Sequence, residues 1–246
     1  MLLCHFAPEQ LQFQKKMRAI IEPSNISAPG IKAFFTTKTL TDDNTRIYEA
    51  LSKEVDIPEN RIYLPVQRHT DKIQALEQEF EPAVADAVIT SEKNILIGIL
   101  VADCVPVLLF DKEKEVIGAV HAGWRGTAKH ILKNAIKAML TRYRCCPEDI
   151  SLAIGPGIGY CCYEVGQSVV AEVREATGKG DYYHRQGNRH FLDLASANKI
   201  QALDAGILQE NIRLSGECTF CNPDKFYSYR YSGNSTGRQG GFIVMW

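Results

Sequence analysis

The sequence predicts an α+β fold: a single domain with a mixed β-sheet core flanked by helices. Three observations lead there. Runs rich in β-branched and aromatic residues mix with helical patterns, without the strict strand–helix–strand order of a parallel α/β protein. Residues 96–101, 105–110 and 116–121 are almost continuously apolar, as in strands covered on both faces. The 246 residues, 45% hydrophobic and 23% charged, contain no low-complexity linker or repeat at which to divide the chain. One domain over 1–246 is expected.

Along the chain, 10–21 reads as a helix, followed by the breaker-rich Glu22-Pro-Ser-Asn-Ile-Ser-Ala-Pro-Gly. Residues 31–37 (IKAFFTT) read as a strand, and 42–55 as a helix that ends before Pro58. Short strands follow at 62–66 and 87–90, then the three apolar runs. Gly123-Trp-Arg-Gly-Thr leads into a helix over 128–143, with Ile131, Ala135, Ala138 and Met139 on one side. Residues 152–154 form a strand before the strand-to-helix turn Gly155-Pro-Gly-Ile-Gly. Helices are expected at 168–177 and 195–205, the latter stopped by Gly206. Strands at 226–230 and 241–246 close the chain.

Net charge is −1, which argues against non-specific binding to nucleic acid or to an anionic membrane. The apolar stretch 95–110 is broken by Asp103 and Pro106, so it does not span a membrane. Met1-Leu-Leu-Cys-His-Phe has no basic leader and soon meets polar residues, so no export signal is expected. Eight cysteines without such a signal point to free thiols in a reducing compartment, by default the cytoplasm.

Chemistry concentrates where the apolar runs end. Cys104 follows one run in Ala-Asp-Cys, and His121 closes another in His-Ala-Gly-Trp-Arg-Gly. His69 lies upstream in Gln-Arg-His-Thr-Asp. Two imidazoles and a thiolate leave a fourth tetrahedral position open, the pattern of a catalytic zinc site. The same residues also fit a buried cysteine beside two hydrogen-bonded histidines, since no local ligand spacing ties them together. Asp103 and Asp71 are candidate partners of the ligands or proton carriers. Arg125, in a turn leading to a helix, suits phosphate or carboxylate. It equally fits a surface position. Glu164, after the glycine-rich turn, is a candidate acid or base. Arg230 and Arg238 near the C-terminus are candidates to complete an anion site. The adjacent pairs Cys145-Cys146 and Cys161-Cys162 look like poor chelators, and Cys218-Thr-Phe-Cys221 lacks the second CxxC of a zinc ribbon.

The chain resembles the YfiH family, also called the laccase-domain or multicopper polyphenol oxidase-like family. The resemblance rests on Gln67-Arg-His69, Ala85-Asp-Ala-Val, Ala102-Asp-Cys104-Val-Pro-Val-Leu, His121-Ala-Gly-Trp-Arg-Gly and Ile154-Gly-Pro-Gly-Ile-Gly-Tyr-Cys-Cys-Tyr-Glu-Val-Gly. It continues through Leu192-Asp-Leu, Glu217-Cys-Thr, Phe226-Tyr-Ser-Tyr-Arg230 and Thr236-Gly-Arg238, in the family's order.

This resemblance implies a zinc-dependent purine nucleoside phosphorylase. Such an enzyme splits adenosine, inosine, guanosine or methylthioadenosine with phosphate into base and sugar 1-phosphate, and some members also deaminate adenosine. It implies His69, Cys104 and His121 as metal ligands, with Arg125 and Arg230 in the pocket. Arg238 joins them as a candidate phosphate contact, and Asp103 or Glu164 would move protons. Zinc is the expected ion, with copper the competitor at an N/S site. Phenol oxidation is an older family assignment, but six histidines are too few for the His-rich clusters of a multicopper oxidase. The alternative reading is a cysteine hydrolase, with Cys104 as nucleophile on an amide or peptidoglycan precursor.

The chain departs from the family at two places. Thr36-Thr-Lys38 runs into a short polar link where members carry a Gly-Gly-Val-Ser-like loop. Tyr229-Arg230-Tyr231 stands where Tyr-Arg-Arg is usual, one cation fewer. Both bear on substrate preference.

Overall fold

The apolar runs become strands buried on both faces because two sheets stack on each other and each carries helices on its outer side. The computed structural model describes residues 19–40, 46–77, 81–233 and 236–246. Its strands are β1 (Ile20–Ile21), β2 (Ile31–Thr36), β3 (Ile62–Tyr63), β4 (Ile73–Leu76), β5 (Ala87–Thr90), β6 (Ile95–Val101) and β7 (Val105–Asp111). They continue with β8 (Val116–Ala122), β9 (Ile150–Ile154), β10 (Glu164–Val165), β11 (Tyr183–Gln186), β12 (Arg189–Leu192), β13 (Ile212–Leu214) and β14 (Gln239–Met245). The helices are α1 (Ile47–Val55), α2 (Trp124–Ala128), α3 (Ile131–Tyr143), α4 (Gln167–Thr177), α5 (Leu194–Asp204) and α6 (Tyr229–Ser232).

One sheet has the order β1-β2-β14-β6-β3, the other β13-β9-β7-β8-β5-β4, and a small β10-β12-β11 sheet stands apart. Both large sheets are mixed: β3–β6, β13–β9 and β4–β5 pair in parallel, the rest antiparallel. The expected mixed α and β architecture is present, with the core divided between two sheets rather than one. Strand alternation assigns each side chain to a layer. Leu108, Phe110, Ile117 and Ala119 face Ile97, Ile99, Ile243 and Met245 between the sheets. Val105, Val107, Leu109, Val120 and Ile154 point the other way, onto Leu132, Ile136 and Met139 of α3, Val173 of α4 and Ala197 of α5. On the far side of the first sheet, Phe34, Leu96 and Phe242 cover Leu51 and Val55 of α1. Both faces of the central strands are thus dry, so each position on them requires an apolar side chain.

Several elements differ from the sequence expectation. Most of the helix predicted at 10–21 lies outside the described residues, and Ile20–Ile21 is a strand that pairs with Thr36 and Phe35. The start of the helix predicted at 42–55 also lies outside; its described part is α1. The helix predicted over 128–143 is preceded by a separate turn of helix, α2. His130 at φ +59 breaks the two apart, because a left-handed residue cannot continue a right-handed helix. Residues 226–230 are not a strand. Ser228 accepts a hydrogen bond from the Tyr231 N–H as an N-cap, and Gly233 closes α6 at φ +67. The glycine-rich turn after β9 leads to β10 before the helix. A side chain on Gly155 would meet the Phe35 ring at 2.4 Å, so its backbone approaches core rather than ligand. No helix among the described residues is long and apolar enough to cross a membrane.

Candidate metal centre and anion site

The second sheet delivers two of the three candidate ligands by register. Cys104 immediately precedes β7 and His121 is the penultimate residue of β8, with Val105 opposite Ala122 and Pro106 opposite His121. On the other side of β8, Ala87 lies opposite Val120, which brings Asp86 beside His121. The His121 N–H donates to the Asp86 carbonyl at 2.7 Å, and the His121 ring Nδ1 meets Asp86 Oδ1 at 2.7 Å. His69 comes from the loop between β3 and β4. Gln67 pins that loop by exchanging two 2.8 Å hydrogen bonds with the backbone of Leu100. Asp86 then accepts from the N–H groups of Arg68, His69 and Thr70, and from the Thr70 hydroxyl. One fully buried carboxylate therefore holds both histidines.

The donor atoms of His69, Cys104 and His121 all lie within 4.8 Å of one another. Cys104 Sγ is 3.8 Å from His69 Nε2, and the two imidazole rings meet edge to face at 4.8 Å. His69 (φ +57) and Asp103 (φ +81) both hold left-handed backbone conformations, uncommon for residues with a Cβ. Gly123 is required by the same crowding: a Cβ there would stand 2.8 Å from Cys104 Sγ and 3.2 Å from the His69 ring.

Electrostatics couple the cluster. Burial disfavours a charged Cys104, yet the charge and hydrogen bond of His121, together with those of His69, bring the thiol down to about 6. Burial likewise disfavours protonated His121, but Cys104 and Asp86 raise it to about 9. Burial works against an ionised Asp86 as well, and its hydrogen bonds to His121 and Thr70 still hold it well below the carboxylate range. A thiolate, two imidazoles and an outer carboxylate on one imidazole suit a borderline-soft cation such as zinc.

The predicted anion residues line up less evenly. Arg125 is exposed on α2 and stacks over the Trp124 ring at 4.3 Å. The helix is only five residues long, so its dipole is short and the guanidinium is the main cationic feature there. From α5, the buried Asn198 and Gln201 brace this turn by donating to the Thr127 hydroxyl and carbonyl. Arg230, on α6, lies over the Tyr163 ring at 5.3 Å and donates to the Glu164 carbonyl at 2.9 Å. Tyr163 feels the charges of Cys104, Arg230, Asp103 and Arg125, and burial foremost keeps its phenol protonated. Arg238 instead donates to the Thr236 and Gly237 carbonyls of its own loop.

Asp103 and Glu164, the candidate proton carriers, are both engaged in structure. Asp103 is 8% exposed; it accepts from the Thr219 hydroxyl and from the Arg230 backbone N–H, each at 2.7 Å. The Glu164 carboxylate takes two bonds from the Arg189 guanidinium, at 2.6 and 2.8 Å. Tyr160 packs edge to face on His184. Asp86 is the residue that sequence reasoning passed over. Along the chain it stands only within the Ala85-Asp-Ala-Val motif, immediately before the buried strand β5, with no role attached.

A family model described as "Multi-copper polyphenol oxidoreductase laccase" matches residues 26–246. Among curated relatives, purine nucleoside phosphorylase YlmD of Bacillus subtilis is 33% identical over 218 residues, 78% of each chain. A purine nucleoside phosphorylase of Clostridium acetobutylicum is 38% identical over 183 residues, 72% of this chain and 74% of that one. Of solved structures, YlmD from Geobacillus stearothermophilus superposes with a TM-score of 0.80 at 30% identity, over 89% of this chain and 94% of the other. YfiH from Bacillus licheniformis gives 0.82 at 25% identity, over 88% and 93%.

Proposed function

This chain belongs to the multi-copper polyphenol oxidoreductase laccase family, and we propose that it is a zinc-dependent purine nucleoside phosphorylase of the cytoplasm. The observation that carries the reading is the convergence of His69, Cys104 and His121, with Arg125 two residues beyond the Gly123 that packs on Cys104 and with Arg230 bonded through its backbone to Asp103, the neighbour of Cys104. The relatives named above as purine nucleoside phosphorylases support the substrate class. Free cysteines throughout the described chain accord with a reducing compartment.

In phosphorolysis, a phosphate oxygen forms a bond to the anomeric carbon as the bond from that carbon to the purine nitrogen breaks. The sugar leaves as its 1-phosphate, and the base takes up the proton that the attacking phosphate gives up. Arg125 and Arg230, both exposed, hold the phosphate dianion by charge-assisted hydrogen bonds. The Tyr163 phenol, kept protonated, donates a hydrogen bond to an oxygen of phosphate or sugar. Asp103 positions Arg230 by anchoring the backbone at the start of α6. Asp86 fixes the tautomer and aim of His121, and holds the loop of His69. His69, Cys104 and His121 would hold zinc, which would supply Lewis acidity and, for adenosine, activation of water for deamination.

The assay is chromatographic. Zinc-replete protein incubated with adenosine or inosine releases free base only when phosphate is present, and inosine appears from adenosine if deamination accompanies it. No base release and no deamination in zinc-replete protein rejects the proposal.

The lowered Cys104 thiol beside a protonated His121 favours one second reading, a cysteine hydrolase. Metal content separates the two. Stoichiometric zinc that is lost in Cys104→Ala supports the phosphorylase. A metal-free active protein that is inactivated by alkylation of Cys104 supports the hydrolase.

A further inference from the structure

Two pairs of cysteines outside the His69–Cys104–His121 cluster meet at one point. Cys161 and Cys162 lie in the loop between β9 and β10, and Cys218 and Cys221 in the loop between β13 and α6. Their four sulfurs all fall within 4.8 Å of one another, with Cys221 Sγ 3.5 Å from Cys161 Sγ and 3.3 Å from Cys162 Sγ. All four are free thiols.

The backbone is arranged for this meeting. The Cys162 and Tyr163 N–H groups both donate to the Gly159 carbonyl at 3.0 Å, winding 159–163 into a tight turn. In that turn the adjacent cysteines both reach Cys221, although neighbouring side chains ordinarily diverge. Gly159 must be small, since a Cβ there would stand 3.3 Å from both Cys161 Sγ and Cys218 Cβ. Its N–H donates to Cys218 Sγ at 3.2 Å, and the Cys221 N–H points to the same sulfur. Such N–H groups favour a sulfur that carries negative charge. The Gly157–Cys218 bridge and the Thr219 N–H donating to Gly157 at 3.0 Å join the two loops.

We infer that Cys161, Cys162, Cys218 and Cys221 form a second, tetrathiolate metal site for a thiophilic divalent cation, with zinc as the natural occupant. A tetrahedron of Zn–S bonds of about 2.3 Å has edges of about 3.8 Å, so the observed sulfurs need shifts of about 1 Å or less. Four thiolates close the coordination shell and leave no position for water, so the site is structural. It staples the loop that carries Tyr163 to the loop that carries Thr219, the partner of Asp103. Metal here therefore secures the wall on which Arg230 stands. Binding displaces the thiol protons to solvent, with no change of oxidation state.

The test is metal analysis of wild-type protein and the Cys218→Ser/Cys221→Ser double variant, both purified anaerobically with zinc present. Loss of one zinc per chain in the double variant is expected, on top of any zinc held at the His69–Cys104–His121 cluster. Unchanged metal content overturns the inference. If the double variant does not fold, wild-type protein alone decides. After native alkylation with and without zinc, peptide mass analysis should show all four cysteines protected only by zinc, while the exposed Cys146 reacts in both samples. Equal labelling in the two samples, or a disulfide among the four in anaerobic protein, overturns it. Neither readout depends on phosphorolysis, so the proposed activity and this site fail separately.

Discussion

The two sulfur-bearing clusters differ in what holds their donors. Cys104 and His121 stand at the ends of neighbouring strands inside a sheet, and only His69 comes from a loop, itself tied down by Asp86 and Gln67. Cys161, Cys162, Cys218 and Cys221 all come from loops, joined by a bridge and a few backbone bonds. Donors on strand ends cannot move without breaking the ladder, so two of them, with His69 on its pinned loop, are held around one centre. The loop donors owe their meeting to the Gly159 turn and to the bridge between Gly157 and Cys218. The first cluster stores strain, in the positive φ of His69 and Asp103; the second relies on close approach at Gly159.

Removing a ligand separates the two most sharply. His121→Ala is expected to strip the metal from its cluster and lower phosphorolysis by at least about 100-fold, since even loss of a supporting partner costs about 10–100-fold. Cys221→Ser, which loosens the Tyr163 and Arg230 wall without touching the zinc cluster, is expected to lower turnover far less while lowering the melting temperature. Steady-state kinetics and thermal unfolding of both variants check this; equal loss of turnover in the two would erase the distinction.

Asp86→Asn is the next largest effect. The buried Asp86–His121 bond has no counterpart at the four-cysteine cluster. Its loss should weaken zinc at the His69–Cys104–His121 cluster by about 10–100-fold, measured by chelator competition.

Thiol reactivity in metal-free protein comes third. Cys104 is brought down to about 6, whereas Cys161 is pushed up to about 11, by burial first and then by its hydrogen bond to Cys221. At pH 7 their thiolate fractions then differ by about 10⁴, and the lower intrinsic nucleophilicity of the more acidic thiol reduces the rate ratio to about 50-fold. Alkylation of Cys104 should level off above about pH 6, while that of Cys161 keeps rising with pH. Time-resolved labelling with peptide mapping reads both, and faster labelling of the more exposed Cys161 at neutral pH would contradict it.

Gly123→Ala is the smallest change. Its methyl would press on Cys104 Sγ and the His69 ring, and at the low end of overpacking costs, about 1 kcal/mol, metal affinity at that cluster falls roughly fivefold. Isothermal titration with zinc is the measurement. An unchanged affinity would mean that Cys104 moves freely.

Much of the central architecture was legible along the chain. The runs at 96–101, 105–110 and 116–121 are β6, β7 and β8 to within a residue or two, because only strands dry on both faces lack polar alternation. Their ends carried Cys104 and His121 visibly. Asp86 was not legible, since its meaning depends on Ala87 lying opposite Val120, a register no local pattern encodes. The aromatic-rich 226–230 read as a strand, but the Ser228 cap and Gly233 make helix of its end. Asp103 and Glu164 read along the chain as candidate proton carriers; the fold sets Thr219 and the Arg230 backbone on the first and Arg189 on the second. The pair Cys161-Cys162 reads along the chain as a poor chelator; the turn at Gly159 brings both sulfurs to Cys221.

By itself, the sequence determined which segments are buried strands and which donor atoms stand at their ends, because burial and side-chain chemistry are local properties of residues. The tertiary structure decided which donors share a centre, which carboxylate aims them, and which cysteines from distant loops converge. Those depend on strand register and on loops folding over one another, interactions between residues that the chain order keeps far apart.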